Sequence, residues 1–212
     1  AVFPGGYLVA IDLGLRPLRT YAKADGRVVG DVTRLPCRPG SLTAICGFDI
    51  LEHLQDDLGA LQDWREALVP GGWLLLTVPA YAGLWGAHDE VNGHHRRDYL
   101  QTIRSLLLAA RFSVVRISYF NTLLLPGVAF VRWTQRWLTT RCPRLPTEQA
   151  GPGELDFRRR FPDWLERCFE GALRLEALWL RRHCLPAGVS ICAVAQRIPS
   201  PPAAHQHAGS CP

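Results

Sequence analysis

Gly30-Asp31-Val32-Thr33-Arg34-Leu35-Pro36 decides how this chain is read, together with Phe48-Asp49-Ile50-Leu51-Glu52-His53-Leu54 downstream and Val9-Ala10-Ile11-Asp12 upstream. Two short apolar runs each end in a carboxylate, and a third runs into an acidic, His-containing turn. In an open parallel sheet, ligands sit at the carboxyl ends of the strands. A carboxylate at one strand end can accept both hydroxyl protons of a ribose. A second, one strand further on, can take the exocyclic amine of an adenine. The pattern is that of a site for adenosine.

The rest of the chain extends the alternation of strands and helices. Tyr7–Asp12 reads as a buried strand and Arg16–Ala24 as a short helix with Leu18 and Ala22 facing inward. Arg27–Gly30 and Leu42–Asp49 are the next strands, the latter apolar nearly throughout, as a strand covered on both faces should be. Asp56–Leu68 is a helix with an Asp cap, stopped by Pro70-Gly71-Gly72. Trp73–Val78 is a fourth strand, and Ala80–Asp98 a loop rich in Gly, His and aromatic residues. Tyr99–Ala110 is a helix and Ser113–Phe120 a strand. Asn121–Thr140 and Phe161–His183 read as helices around a Pro- and Gly-rich linker, Arg141–Leu155, before a last strand, Ser190–Ala195. The alternation predicts an α/β fold: a Rossmann-like, mostly parallel sheet with helices on both faces. The predicted domain spans 1–198 and carries a C-terminal helical cap insertion at about 121–185; the tail, 199–212, is expected to be disordered.

Composition narrows the function classes. A chain of 212 residues with 48% hydrophobic content supports one ordinary core. The net charge of +5 rests almost wholly on arginine, since Lys23 is the sole lysine. The arginines are scattered apart from Arg158-Arg159-Arg160, and no aromatic platform surrounds that run, so no nucleic-acid partner is expected. Seven cysteines without a C-x-x-C are expected to be reduced thiols in a cytoplasmic protein. No apolar run reaches the ~20 residues of a membrane span.

The segments Ala10-Ile11-Asp12, Gly30 to Pro36, Phe48 to Leu54, Leu68-Val69-Pro70-Gly71-Gly72 and Val78-Pro79-Ala80-Tyr81, in that order, resemble the class I S-adenosylmethionine-dependent methyltransferases, in particular the small-molecule branch related to quinone-type enzymes. The resemblance implies S-adenosylmethionine as cofactor and a final strand that enters antiparallel. It implies Asp12 for the ribose with Leu13 beside the adenine, and Asp31 for the adenine amine with Val32 nearby. It also implies Phe48 and Asp49 for the lining of the same cofactor site. One part of the family pattern is missing: no G-x-G-x-G loop precedes Asp12, and the only G-x-G is Gly151-Pro152-Gly153. The chain contains no Met. The expectation is a form lacking the first strand and that loop, with weakened hold on the methionine end of the cofactor.

Methyl transfer from a sulfonium needs alignment first, and a base only to take the proton of an oxygen or nitrogen acceptor. Gly86 to Arg97 is the densest polar stretch and follows a strand end. His88 or His94 is the candidate base, Asp89 its orienting acid, and Arg96 or Arg97 the candidate anion binder; the competing reading is a loop pinned by hydrogen bonds. His53 is a further catalytic candidate. Asp49, Glu52 and His53 stand at i, i+3 and i+4, and in quinone O-methyltransferases a similar E-x-x-E-H cluster holds a divalent cation. The shorter Asp49 weighs against it, and no metal is expected. Asp12 and Asp31 also have structural readings, as a cap or as Asx turns.

The expected activity is methyl transfer to a small, apolar or lipid-linked acceptor, with peripheral membrane contact through 121–140. The alternatives are a non-catalytic methyltransferase-like fragment or pseudoenzyme, and a nicotinamide-dependent oxidoreductase. Two successive acidic strand ends, and no Tyr-x-x-x-Lys after Val78-Pro79, disfavour the last.

Overall fold

The computed structural model describes residues 6–21, 23–141 and 163–199. The linker from 142, the arginine run 158–160 and the tail from 200 lie outside them. Strands β1 (Val9–Asp12) and β2 (Gly26–Val29) pair in parallel as a two-stranded sheet, linked by helix α1 (Leu15–Thr20). A second sheet has the order β3-β4-β6-β5. In it β3 (Leu42–Phe48) runs parallel to β4 (Leu68–Pro79), while β6 (Ser190–Arg197) lies antiparallel between β4 and β5 (Phe112–Phe120). The expected antiparallel last strand is therefore present, and β3, β4 and β5 all end at the same edge.

Helix α2 (Asp57–Ala67) joins β3 to β4 and packs against α4 (Leu100–Ala109) on one face of this sheet. Asp56 caps α2: its Oδ1 accepts the Gly59 N–H at 2.8 Å, satisfying one of the donors that a helix start leaves open. Leu61 and Trp64 of α2 and Ile103 and Leu107 of α4 are buried against Leu74, Leu76, Val78, Ile191 and Ala193. Gly47 is required by this packing, because a Cβ there would stand 3.0 Å from the Trp64 ring and 3.1 Å from Leu76. Trp64 also reaches out of the core, its Nε1 donating to the Val32 carbonyl at 2.6 Å. Asp63 beside it accepts the Leu35 N–H at 2.8 Å. These two bonds tie the segment that follows β2 to the main core.

Three readings of the sequence are corrected. First, β3 is not covered on both faces: only Gly47 is fully buried, and Thr43, Cys46 and Phe48 are exposed. Second, β4 begins at Leu68, ahead of the predicted Trp73. The chain passes Pro70-Gly71-Gly72 by a shift in register between Leu42 and Ala44, with Gly71 at φ 78°. Third, the segment between β4 and α4 is not loop throughout but contains a short helix, α3 (Ala87–Val91). Helices α5 (Leu125–Arg141) and α6 (Asp163–Leu180) follow β5. On these two helices Trp133, Trp137, Leu175, Leu178 and Trp179 are exposed. Among the described residues no helix is long and apolar enough to cross a membrane.

Candidate functional site

The carboxyl edge of the main sheet is built from strained turns. Asp49 follows β3 at φ 52°, Tyr81 follows β4 at φ 59° and Asn121 follows β5 at φ 60°. Non-glycine residues at positive φ cost of order 1 kcal/mol or more and collect where a structure holds side chains for a purpose. Here they aim three successive loops at the edge where parallel sheets bind ligands.

After β3 the backbone N–H of Asp49 donates to the Thr77 carbonyl at 2.9 Å, and its Oδ1 accepts from the Thr77 hydroxyl at 3.1 Å. A short 3-10 turn, Leu51–His53, carries Glu52 inward and leaves His53 outward. Glu52 has no exposed surface, and among the described residues neither carboxylate oxygen has a hydrogen-bond partner. Burial, with repulsion from Asp49 and Asp98, pushes its carboxyl up to about 7. Its carbonyl accepts the His95 N–H at 2.7 Å and so joins this turn to the loop after β4.

Asp89 organises that loop. It is fully buried in α3, where its Oδ2 accepts the Gly86 N–H at 2.9 Å. Its Oδ1 accepts Arg97 Nε at 2.7 Å and meets His94 Nδ1 at 3.0 Å, and the Arg132 guanidinium of α5 lies 4.0 Å from Oδ2. Burial works to raise this carboxyl, but the Arg97 guanidinium, the Gly86 N–H and His94 outweigh it and hold the group below the usual carboxylate range. With Nδ1 engaged by Asp89, His94 has Nε2 to offer. His53 meets the His94 ring edge-on at 4.7 Å, and His88 stands 6.4 Å from it, bonded to Asn92 at 2.9 Å. Burial lowers both His53 and His88 toward the neutral imidazole at neutral pH.

The four catalytic candidates, His53, His88, Asp89 and His94, thus come together. The two arginines do not serve as an anion site. Arg97 is buried on Asp89 and the Ala80 carbonyl, and Arg96 binds the Leu51 carbonyl, Asp57 and Asp98. The cofactor candidates lie along three strand ends divided between the two sheets. Asp12 Oδ1 accepts the Gly14 N–H at 2.7 Å, and Asp31 Oδ1 accepts the Thr33 N–H and hydroxyl, both at 2.8 Å. Both acids therefore form the Asx-type turns of the structural reading, and each turn engages Oδ1. The Thr33 bonds hold Asp31 below its ordinary value. Leu13 and Phe48 stand exposed beside them, at 70% and 57%. Two contributions were not read from the sequence: the counter-charge that Arg97 and Arg132 give Asp89, and the aromatic group in which Tyr81 stacks on Tyr119 at 5.1 Å and meets Tyr99 at 5.9 Å. Tyr81 closes the quoted Val78-Pro79-Ala80-Tyr81 segment, but its positive φ leaves no sequence signal.

Residues 3–76 match the family described as methyltransferase domain. Over that stretch, about a third of the chain, the sequence is similar to a methyltransferase domain. The matched stretch holds Asp12, Asp31 and Asp49 and ends before His88, so it covers the adenosine side and not the loop around His94. By structure the fold is similar to a chain from the complex of the Haloferax volcanii Trm112 methyltransferase activator and a methyltransferase. That match has 15% identity and a TM-score of 0.53, over 91% of this chain and 72% of the other. A methyltransferase from Bacillus halodurans C-125 matches at 14% identity and TM-score 0.53, over 90% and 82%. A protein assigned as a sarcosine dimethylglycine methyltransferase from Galdieria sulphuraria matches at 14% and 0.51, over 90% and 69%. Identities this low speak to the fold alone. Among curated proteins none matches by sequence.

Proposed function

We propose that this methyltransferase domain transfers a methyl group from S-adenosylmethionine to a small apolar or lipid-linked acceptor that reacts at an oxygen or nitrogen beside His94. The observation that carries the reading is the Asp89–His94 pair at the carboxyl edge. A buried carboxylate fixing Nδ1 of an imidazole leaves Nε2 as the ring's free nitrogen, the arrangement of a base held by an orienting acid. Asp12 and Asp31, at neighbouring ends of β1 and β2, suit the ribose and the adenine amine, and exposed Leu13 and Phe48 suit the faces of the base. When bound, the cofactor supplies an activated methyl on a sulfonium. His94 takes the acceptor's proton, Asp89 stabilises the imidazolium formed, and His53 and His88 border the same space. Phe130, Trp133 and Trp137 of α5 offer exposed apolar surface to a lipid-linked acceptor and its membrane. A second reading, a non-catalytic methyltransferase-like domain, has its own support in the division of the strands into two sheets.

The test is transfer of labelled methyl to a panel of phenols, quinones, prenyl lipids and glycolipids, beside calorimetry with S-adenosylmethionine and NADH. The chain, lacking the Gly-rich loop before Asp12, is expected to bind the first weakly at most and the second not at all. His94→Ala is expected to lower turnover about a hundredfold or more while leaving cofactor affinity unchanged. Turnover unchanged in His94→Ala would remove His94 from the chemistry. Absence of turnover on every acceptor with cofactor bound would favour the second reading.

A further inference from the structure

We infer that Glu52, His53 and His94 form a binding site for one divalent transition-metal ion of the zinc type. One ligand atom from each lies within 4.8 Å of the others, brought together from the turn after β3 and the loop after β4. The site is not the spacing cluster Asp49, Glu52 and His53. Asp49 is turned to the Thr77 hydroxyl, and His94, distant in sequence, takes the third place.

Two independent observations point to a ligand. Glu52 is completely buried with both carboxylate oxygens unpartnered among the described residues, a state that costs free energy unless something in the site satisfies them. His94 also has an outer acceptor of the kind that orients metal-ligating histidines, Asp89 on Nδ1. Its Nε2 is then the nitrogen to give. Metal bonds of about 2.0–2.2 Å put tetrahedral ligand atoms roughly 3.4 Å apart, so small side-chain adjustments close the set. Exposed His53 leaves the outer side open for a fourth, exchangeable ligand. Two nitrogens and one carboxylate favour zinc, cobalt, iron or manganese over magnesium or calcium, which prefer all-oxygen sites.

The site stands on geometry alone. Its consequence rests on the methyl transfer proposed above and replaces only its base step: with a cation on His94 Nε2, an acceptor hydroxyl at the open position would be acidified and lose its proton to water, His94 serving as ligand and not as base.

The experiment titrates the full chain, stripped with EDTA, with Zn2+ by calorimetry and with Co2+ by visible absorption. One equivalent is expected at this site, with a cobalt spectrum free of thiolate charge transfer. Glu52→Gln, which keeps shape and removes charge, and His53→Ala, at an exposed side chain, should each weaken that equivalent tenfold or more, whereas His95→Ala should not. Asp89→Asn should weaken it about tenfold through His94. Preference for Mg2+ over Zn2+, binding only with a thiolate band, or affinity unchanged in both Glu52→Gln and His53→Ala would overturn the site. Should Glu52→Gln fail to fold, His53→Ala alone decides between these outcomes.

Discussion

Asp89 has no exposed surface, yet it is surrounded by Arg97, His94, Arg132 and the Gly86 N–H. Replacing one partner of such a buried pair leaves the other charge without compensation. Asp89→Asn is therefore expected to destabilise the fold by about 3–5 kcal/mol, read as a lower urea midpoint at unchanged slope. Asp31→Asn, at an exposed turn, should leave that midpoint nearly unmoved. Asp98 gives a pH-dependent counterpart. Burial, only partly offset by Arg96 and reinforced by Asp57, raises its carboxyl above the ordinary 3.8. A raised carboxyl contributes stability that is fully present below the unfolded value and is lost as pH rises through the folded one. The stability difference between the parent and Asp98→Asn should accordingly fall as pH rises from below 3.8, and denaturation at closely spaced pH values checks it. At this scale the Asp89–His94 pair was legible, because polar residues concentrate after a strand end. The fate of Arg96 and Arg97 was not: residue type marks a guanidinium as an anion binder, and only burial shows that both are taken by internal partners.

Helix α2 does more than cover the sheet. Trp64 fills the space above Gly47 and donates to Val32, so one side chain serves both the core and the segment after β2. Trp64→Phe is expected to cost roughly 1–3 kcal/mol, from the lost hydrogen bond and the uncovered Val32 carbonyl. Trp64→Ala should cost about 3–5 kcal/mol. Thermal unfolding of the pair separates the bond from the packing. Elements with clear punctuation were legible: the Asp56 cap and the helix stop before Pro70 fall where the sequence places them. Elements that run through punctuation were not. A strand crossing Pro70-Gly71 needs the bulge that Gly71 permits, and five residues of α3 are too few to show a helical period. Trp133 and Trp137 stand four apart, as a buried stripe would, but spacing cannot say whether anything lies against it.

Across the whole molecule, the alternation of strands and helices and the antiparallel last strand followed from sequence and resemblance. The division into two sheets did not, because pairing depends on neighbours distant in the chain. The small sheet is shallowly buried, β1 and β2 having no fully buried residue, while β4 and β6 carry the core. Local opening is cheapest where few apolar contacts resist it. Amides of β1 and β2 are thus expected to exchange with deuterium about a hundredfold faster than those of β4, as mass spectrometry of peptic fragments would show; equal protection would mean that one cooperative unit spans both sheets. The same division has a practical consequence for handling the protein. Among the described residues the two sheets have four outer strands where a single one would have two, and outer strands invite aggregation between chains. Proteins commonly guard such strands with lysine, and this chain has only Lys23. Leu42–Phe48 presents seven residues without a charge or a proline, several open to solvent. Concentration rather than temperature should then limit its solubility, and a single gatekeeper charge, Thr43→Lys on the exposed side of that strand, should reduce light scattering at high concentration without moving the melting point.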